Sequence, residues 1–510
     1  MIDVHPPARR RFLLYLVPVL VFVVAFLLYA STAAPWLTWA NYGADGGDLI
    51  AAAMTWGVPH PTGYPTYCLL GRLYALLPLG SVARRFNLFS ATMGAATIVM
   101  VYLMAQAVLR RESNRLIWRD VVIALFVSLA CAAGGTFWSQ AVIAEVYTLH
   151  TFFFALCLYL ALRSVPLNRW RGFVLGLVFG LGLGVHLTLV LILPGLMLLL
   201  WPRRRDVHLL PLAVGVLVGL SVYAYLPLAA RGDPPIAWGD PRTWQSFWWV
   251  VSGKLYHPYA FALPLEHFPA RLGGWAHGWA QEFTWPGVAL ALWGVWSWVQ
   301  GERRAWAVAT GLVFAVYVLY AIGYDTADSH VYLLPTYLIT ALWIAEGSRT
   351  VLDELAGLRY SSLWIVLGLC ALAVIPLSSV LHNYKALDLS EDRTVVEWVD
   401  DALGELPIGA LLITGEDRHT FALDYVRWVE GQRQDLLVMD GELFPQPWYA
   451  EQIRRRYPSL AQLKGRLSVE RVIHAFLGER DVYLTSRRND LESAYQLSKY
   501  GVLWKATAKD

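Results

Sequence analysis

Two carboxylates stand three residues apart in the stretch NYGADGGDLIAAAMTWGVPHPTGYP, residues 41–65. Asp45 and Asp48 closely follow the first apolar segment of the chain, so both are expected at the edge of a membrane. A carboxylate there is costly to desolvate and usually faces a cavity or a partner. If burial raises its pKa, it can act as a general base toward a hydroxyl group. The alternative is a structural role, with Asp48 capping the helix that begins at LIAAAM.

His60 and Tyr64 belong to the sequence HPTGYP, in which two prolines and a glycine indicate a preset turn. Proline fixes φ, and glycine permits positive φ. This turn could hold His60 against the two acids or against a phosphate, or it could be a structural elbow. A lone histidine is not evidence of a metal site, so neither a metal site nor a cofactor is predicted. A divalent cation held by the two acids and water is the alternative.

Three more titratable residues interrupt apolar segments. Glu145 and His150 lie in FWSQAVIAEVYTLH, and His186 lies in GLGLGVHLTL. A titratable group inside a membrane indicates a functional site by default. The structural alternative for Glu145 and for His186 is hydrogen bonding between neighbouring helices.

The composition predicts a polytopic α-helical membrane protein. Of the 510 residues, 57% are hydrophobic and 15% are charged, whereas soluble proteins carry about 25% charged residues. The net charge of +3 is too small to indicate a nucleic-acid partner. The first apolar run, 12–30, is long enough to span a bilayer and longer than the core of a signal peptide, so it is interpreted as an uncleaved helix.

Clusters of arginine predict the topology, because cytoplasmic loops carry the excess of basic residues. With Arg9–Arg11 inside, the strongly basic loops near 110–115, 163–171, 203–205, 303–304 and 349 all fall on the cytoplasmic side of about eleven spanning helices. The predicted helices are 12–30, 86–109, 120–138, 141–162, two short helices within 172–201 joined near His186, 208–229, 286–300, 305–322, 331–347 and 361–380. The N-terminus is therefore expected in the cytoplasm.

The predicted transmembrane domain covers 1–383, with outer loops at 31–85 and 231–285. The apolar piece 66–79 is too short to span and is interpreted as interfacial or re-entrant. Arg84 and Arg85 then lie outside, against the charge rule, which makes them candidates for binding an anion. Arg231 begins the second loop, whose aromatic and basic residues suit an interfacial helix that receives a lipid headgroup. Plain anchoring at the membrane interface is the alternative.

Residues 384–510 differ in character, since charges are frequent and apolar runs are short. Strands are predicted at 409–415, 435–441, 481–487 and 501–507, with a helix at 420–432. The first two strands and the helix form a βαβ-like unit. The chain is therefore predicted to end in a soluble α/β domain on the extracytoplasmic side of the membrane.

The order of these motifs resembles the DUF2723 family of the GT-C glycosyltransferase superfamily, which includes TMEM260-like proteins related to protein O-mannosyltransferases. The likeness rests on ADGGDLIAAAMTWGVPHPTGYPTYCLLGRLYALLP, RFNLFSA, WSQAVIAEVYTLH, GLGLGVHLTL and LLITGEDRHTFALDYVRWVEGQRQDLLVMDG. The family usually has the motif Asp-x-Gly-Glu. In this chain the motif begins at Asp45, and its last residue is Asp48 instead of Glu. The family's usual His-Pro-Pro-Gly begins at His60, and its Arg-x-Asn pair falls on Arg85 and Asn87.

The resemblance implies transfer of a hexose from a polyprenyl-phosphate donor to an acceptor hydroxyl of a protein, glycan or lipid, on the outer face of a bacterial-type plasma membrane. Direct displacement would invert the anomeric carbon. The implied catalytic residues are Asp45 and Asp48. The residues proposed to bind the donor phosphate or another part of the substrate are His60, Tyr64, Arg84, Arg85, Asn87, Glu145, His150, His186 and Arg231.

Other functions stay open on the sequence alone. A ligase or polymerase that uses a lipid-diphosphate glycan would need a similar outer acid and arginine. A transporter would place its polar groups near the bilayer midplane, whereas here they cluster at one face. A non-catalytic subunit of a membrane complex is the remaining alternative, because Asp48 departs from the family pattern.

Overall fold

The structure is a computed structural model that describes residues 8–110, 117–163, 168–203 and 208–509. The part before residue 388 is helical, and its helices are α1 Ala8–Thr32, α2 Gly46–Met54, α3 Pro65–Tyr74, α4 Val82–Leu109, α5 Trp118–Ala133, α6 Gly135–Ala141, α7 Tyr147–Arg163, α8 Arg169–Leu183, α9 Leu193–Leu200, α10 Leu209–Leu220, α11 Tyr225–Arg231, α12 Trp244–Val251, α13 Phe268–Gln300, α14 Arg304–Gly323, α15 Leu334–Ala356 and α16 Ser361–Leu387. Parts of three predicted basic clusters, 111–115, 164–167 and 204–205, lie outside the described residues.

The apolar helices make this a polytopic helical membrane protein. Within the described residues, four spans have the length and composition to cross a membrane: α4, the continuous run of α10 and α11, α14 and α16. A fifth arises if α5 and α6, which are bent by 68° relative to each other, count as one span. The total of about eleven spanning helices stays a prediction. Helix α3, within the segment interpreted as interfacial, has only 10 residues.

The two helices predicted at 120–138 and 141–162 have a different form. The first breaks at Gly134, where a Cβ atom would lie 2.1 Å from Oε2 of Glu282 on α13. The carboxylate of Glu282 therefore occupies the space beside the bend, and a side chain at residue 134 would have to displace it. Helix α7 begins only at Tyr147, so Glu145 lies in the turn before it rather than on a helix.

The last part of the predicted outer loop 231–285 is helical, because α13 already begins at Phe268; the bounds of the loop stay a prediction. The apolar pattern there is interrupted by Arg271, His277 and Glu282, so it did not predict a helix. The helix is broken at Thr284, where φ is 61°, just before the start predicted at residue 286. Helix α16 runs to Leu387 and so passes the predicted domain boundary at 383.

Helices α8 and α10 approach each other closely through glycines on both of them. A Cβ atom at Gly180 would lie 2.5 Å from the backbone oxygen of Val216, and one at Gly215 would lie 2.1 Å from that of Phe173. Small residues allow this approach between helices in a membrane. On its other face α10 exposes large apolar side chains such as Leu217, which suits contact with lipid.

The C-terminal segment, residues 388–509, carries a five-stranded sheet of order β2-β1-β3-β5-β4. Strand β1 is parallel to β2 and β3, and β5 is antiparallel to β3 and β4. In chain order the elements are α17 Thr394–Leu403, β1 Leu411–Thr414, α18 Asp417–Trp428, β2 Leu437–Asp440, α19 Pro447–Arg456, α20 Pro458–Ala461, α21 Val469–Phe476, β3 Val482–Leu484, β4 Tyr495–Tyr500 and β5 Leu503–Ala508.

Each of the four predicted strands is present, as β1, β2, β3 and β5. The sequence did not predict β4, whose mixed burial gives no clear alternation of apolar and polar residues. The status of this segment as a separate soluble domain stays a prediction. Its residues Val395 and Tyr425 belong to the same buried cluster as Tyr29 of α1.

Helix α18 lies directly on α2. A Cβ atom at Gly47 would be 2.3 Å from the backbone oxygen of Phe421, so only glycine permits this approach. Trp36 Nε1 also donates a hydrogen bond to Glu430 Oε1 at 2.6 Å. The C-terminal segment therefore covers the first outer loop and its two acids.

The glycine contact between α8 and α10 predicts that Gly180→Leu is destabilising. The new side chain must force the two backbones apart, and overpacking of this kind typically costs about 1–3 kcal/mol. The measurement is the melting temperature of the purified protein in detergent. Gly311→Ala on α14 is the matched control, since nothing lies within 4 Å of its Cβ position. An unchanged melting temperature for Gly180→Leu would contradict the close approach.

Candidate active site

Asp48 lies in the first turn of α2 and is fully buried. Its Oδ2 accepts a hydrogen bond from the backbone N–H of His60 at 2.8 Å and lies 2.7 Å from His60 Nδ1. Its Oδ1 accepts one from Trp238 Nε1 at 3.0 Å. Helix α2 begins at Gly46, so Asp48 lies inside the helix rather than at its cap position. Its described hydrogen bonds go to His60 and Trp238, so the structural alternative of a helix cap is wrong. The contacts instead fix the imidazole ring of His60.

The other nitrogen of that ring faces Asp45. His60 Nε2 lies 3.5 Å from Asp45 Oδ2, and 45% of the Asp45 side chain is accessible, whereas His60 and Asp48 are buried. We call Asp48, His60 and Asp45 the Asp–His–Asp triad. Asp45 is therefore the member of the triad that a substrate can contact.

The protonation of the triad follows from its burial and its charges. Burial raises the pKa of Asp45 to about 6, although the positive charge of His60 opposes this rise. Burial lowers the pKa of His60, but Asp45 and Asp48 outweigh that effect and bring it to about 9. At neutral pH His60 is therefore an imidazolium between two carboxylates, and Asp45 is mostly ionised. A carboxylate with this pKa can accept a proton near neutral pH.

The described residues contain no group of three or more His, Cys, Asp or Glu side chains placed to hold a metal ion. Between Asp45 and Asp48, where the sequence allowed a divalent cation, the structure places the imidazolium of His60.

The HPTGYP sequence forms the predicted turn. Gly63 has a φ of 83° and Tyr64 one of 37°, and the N–H of Gly63 donates to the oxygen of His60 at 2.9 Å. A short parallel bridge joins Val58 to Ala237. This bridge brings Trp238, distant in sequence, to the buried side of the turn.

Besides Trp238, sequence reasoning missed three further contributors to the site. The ring of Phe421 on α18 stacks on His60 with centroids 6.1 Å apart. Tyr256 meets His60 edge-on at 6.4 Å. Asp417, at the start of α18, contributes its charge to the electrostatics of His60, and burial raises its own pKa. No local motif indicates these residues, because only the tertiary fold brings them to the triad.

A second polar group is centred on His186. Its Nδ1 accepts a hydrogen bond from the backbone N–H of Thr188 at 3.3 Å. The neutral ring therefore carries its proton on Nε2. His150 Nε2 lies 3.4 Å from the Thr188 hydroxyl, and the rings of Tyr64 and Tyr147 lie 6.3 Å and 5.8 Å from that of His186. His186 and Tyr64 are thereby linked to the triad, since Tyr64 also contacts His60 at 5.0 Å.

Glu145 is buried in the turn before α7. Its Oε2 accepts a hydrogen bond from the N–H of Val146 at 3.3 Å. Burial raises its pKa well above the ordinary value, and the charge of Asp45 adds to this rise. Its buried surroundings therefore favour the neutral carboxyl form.

The predicted anion-binding residues of α4 contact backbone carbonyls. Arg84 donates to the oxygens of residues 30, 33 and 34 at the end of α1, and Asn87 donates to those of residues 34 and 36. Arg85 donates to the oxygens of residues 75 and 80, while its buried Nε has no partner among the described residues. Arg231 is exposed at the end of α11. These contacts are structural, and binding of a phosphate stays a prediction for all four residues.

Comparison with solved structures identifies the fold. The chain superposes on ArnT from Cupriavidus metallidurans in the apo state with a TM-score of 0.61 and 15% identity, covering 96% of this chain and 97% of that one. The structure of the same protein bound to undecaprenyl phosphate gives a TM-score of 0.56 at 13% identity, with the same coverage. The chain has the same fold as these ArnT structures.

The sequence comparisons give a more specific similarity. Residues 45–208 match the family model of the protein O-mannosyl-transferase TMEM260 N-terminal domain, and residues 397–501 match that of TMEM260-associated domain 2. Protein O-mannosyl-transferase TMEM260 of Mus musculus is 24% identical over 82% of the chain, and the tmem260 protein of Dictyostelium discoideum is 21% identical over 84%. The chain spans 62% and 58% of the length of these two relatives.

The buried contact between Trp238 and Asp48 predicts that Trp238→Phe lowers stability. The change keeps an aromatic ring but removes a hydrogen bond to a buried carboxylate, which is worth about 1.5–3 kcal/mol. Thermal unfolding of the purified protein in detergent measures the loss. Trp296→Phe is the control, because Trp296 is 55% exposed on α13. Equal melting temperatures for the two variants would contradict the role of the Trp238 N–H group.

Proposed function

We propose that the protein is a membrane glycosyltransferase that moves a hexose from a polyprenyl-phosphate donor to a hydroxyl group of a protein acceptor. The observation that carries this proposal is the Asp–His–Asp triad, in which an accessible carboxylate is oriented by a buried imidazolium. The ArnT-like fold and the O-mannosyl-transferase relatives support a sugar transfer. Mannose is therefore the first hexose to test.

The reaction is a single displacement at the anomeric carbon. The acceptor oxygen forms a bond to that carbon while the bond from the carbon to the phosphate oxygen breaks. The hydroxyl proton passes to the carboxylate of Asp45, and the bonding electrons leave with the polyprenyl phosphate. Attack from the face opposite the leaving group inverts the anomeric carbon. Asp45 acts as the general base, which typically contributes about 10²–10⁴ in rate.

Asp48 and His60 are positioning residues in this mechanism. Asp48 is fully buried, and its oxygens are hydrogen-bonded to His60 and Trp238. It therefore does not contact a substrate. It holds His60, and His60 in turn restrains Asp45. The catalytic assignment made for Asp48 on the sequence is therefore replaced by an indirect role through His60.

The departing phosphate requires positive charge or hydrogen-bond donors. We assign this role to Arg231, which is exposed, and to Arg85, whose Nε lacks a partner among the described residues. The Nε2–H group of His186 and the hydroxyl of Tyr64 are assigned to the donor sugar. Arg84 and Asn87 support the site by holding the end of α1.

The site is assigned to the extracytoplasmic face of a plasma membrane, with the N-terminus in the cytoplasm. The distribution of arginines supports this orientation. The C-terminal segment is placed on the same face, because its Phe421 stacks on His60 of the first outer loop. Donor lipid and acceptor would then meet at headgroup level.

Asp45→Asn tests the catalytic assignment. We expect transfer to fall at least about 100-fold, since the amide cannot accept the proton. The measurement is transfer of radiolabelled hexose from synthetic polyprenyl-phosphate sugars to a membrane or cell-wall extract. The control is Asp401→Asn, an exposed position on α17, with equal melting temperatures for all three proteins. Full activity of Asp45→Asn would refute the assignment. Activity only with a lipid-diphosphate donor would favour the ligase alternative.

The rate should depend on pH as a bell-shaped curve. Activity rises as pH increases through about 6, where Asp45 loses its proton, and falls as pH increases through about 9, where His60 loses its own. The two values belong to the coupled triad. The measurement is kcat/KM against pH for the wild type and for His60→Gln. The descending limb should disappear in His60→Gln, and its persistence would show that another group causes it.

A further inference from the structure

The segment between α14 and α15 lies beside the accessible member of the triad. The ring of His330 in this segment meets the ring of Tyr42 edge-on at 5.6 Å, and Tyr42 stands three residues before Asp45. Asp328, two residues before His330, is partly exposed and close enough to Asp45 for its charge to act on that carboxylate. Since Asp45 contacts the substrate in the proposed mechanism, Asp328 lies near the position of the substrate.

A group of aromatic rings lies at the other end of this segment. The ring of Tyr332 is 5.7 Å from that of His186 and 6.2 Å from that of Tyr147. We call Tyr147, His186 and Tyr332 the ring group. The charge of Asp328 acts on the two tyrosines of this group as well as on Asp45. One carboxylate is therefore close both to the proposed catalytic base and to the rings around His186.

The carboxylate of Asp328 has no structural role among the described contacts. Asp328 occupies the N-cap position of the short 3₁₀ helix Ser329–Leu333, but its side chain makes no capping hydrogen bond. No described hydrogen bond or ion pair reaches its oxygens. The Nε2–H group of His186 and the hydroxyl of Tyr147 also lack a hydrogen-bond partner in the described part of the chain. All three residues are partly exposed, so they are open to a ligand.

The unpartnered groups and the rings define the chemistry of this ligand. An ionised carboxylate accepts hydrogen bonds and donates none, so Asp328 needs a partner with donors. It repels a phosphate, because like charges side by side are destabilising. The Nε2–H group of His186 needs an acceptor, which an ammonium group cannot provide. Sugar hydroxyls both donate and accept, and the C–H face of a hexose packs on aromatic rings. The hexose of the donor meets these requirements, and its phosphate does not.

We propose that Asp328 is a sugar-binding residue, whose carboxylate accepts hydrogen bonds from two neighbouring hydroxyls of the donor hexose. The inference rests on the proposed glycosyl transfer and adds to it the residue that distinguishes one hexose from another. The hexose lies against the ring group with its anomeric carbon toward the acceptor held by Asp45, and the phosphate points away from Asp328. Because the relative positions of neighbouring hydroxyls differ among hexoses, this double contact selects the transferred sugar.

The first experiment measures kcat/KM with synthetic donors that lack one hydroxyl each. The parent donor is polyprenyl-phosphate mannose, glucose or galactose, whichever the wild type transfers fastest, and its monodeoxy analogues are compared with it. The wild type should lose about tenfold with the two analogues that lack a contacted hydroxyl, the effect of one hydrogen bond to a charged group. Asp328→Ala should be at least about tenfold slower with the parent donor, and it should use those two analogues as well as the parent.

Asp325→Ala is the matched control, because Asp325 belongs to the same segment, is exposed and forms an ion pair with Arg271 at 3.9 Å. It should keep the wild-type preference among the donors. Asp328→Asn keeps a carbonyl acceptor and should recover part of the activity with the parent donor. A purely structural role for Asp328 predicts an equal loss with all donors and the same discrimination among analogues as in the wild type. That result would overturn the proposal.

Donor binding without acceptor separates the sugar contact from the transfer reaction. Polyprenyl phosphate without a sugar should bind the wild type and Asp328→Ala equally, whereas the hexose-bearing donor should bind Asp328→Ala at least about tenfold more weakly. If no hexose is transferred, the proposed function fails, and binding of polyprenyl-phosphate mannose to the two proteins still decides the role of Asp328. Equal affinity of the two proteins for the hexose-bearing donor, or an effect on the KM of the acceptor alone, would refute the sugar contact.

Discussion

The buried carboxylate of Asp48 is the constraint on which the site depends. A charge removed from water is costly unless hydrogen bonds and opposite charge compensate for it. Asp48 obtains this compensation from the backbone and ring of His60 and from Trp238. The burial of the Asp48 carboxylate is therefore compensated only when the HPTGYP turn and the loop that carries Trp238 both adopt their folded positions. Removal of either donor leaves part of the charge unpaired, so the electrostatics of the site also specify the local fold.

The C-terminal segment contributes to the same arrangement. Helix α18 reaches α2 across Gly47 and covers His60 with Phe421. By excluding water from one side of the triad, this contact strengthens the interaction between the imidazolium and the two carboxylates. The two domains of the sequence-based prediction thus share one site.

Local sequence patterns predicted much of the helical framework. The apolar runs located α1, α4 and α14, and the break near His186 was expected from the length of its segment. The α13 extension was missed because polar residues interrupt its apolar pattern. The acids, His60 and Tyr64 were predicted because they share one short motif. Trp238, Tyr256 and Phe421 were not predicted as members of the site, since contacts between distant segments leave no local pattern.

Arg84 illustrates how a topology rule and a structural role can be confused. Its predicted place outside the membrane violates the charge rule, and this violation suggested a ligand. The structure provides a different compensation, because the guanidinium group donates hydrogen bonds to the carbonyls of residues 30, 33 and 34, at and just beyond the C-terminal end of α1. That end carries the negative pole of the helix dipole, which favours a cation. An arginine that violates the charge rule therefore indicates an anion-binding site only if no nearby helix C-terminus compensates for its charge. By this criterion Arg85, with its unpaired Nε, and the exposed Arg231 are stronger candidates than Arg84 for contact with the phosphate of the proposed donor.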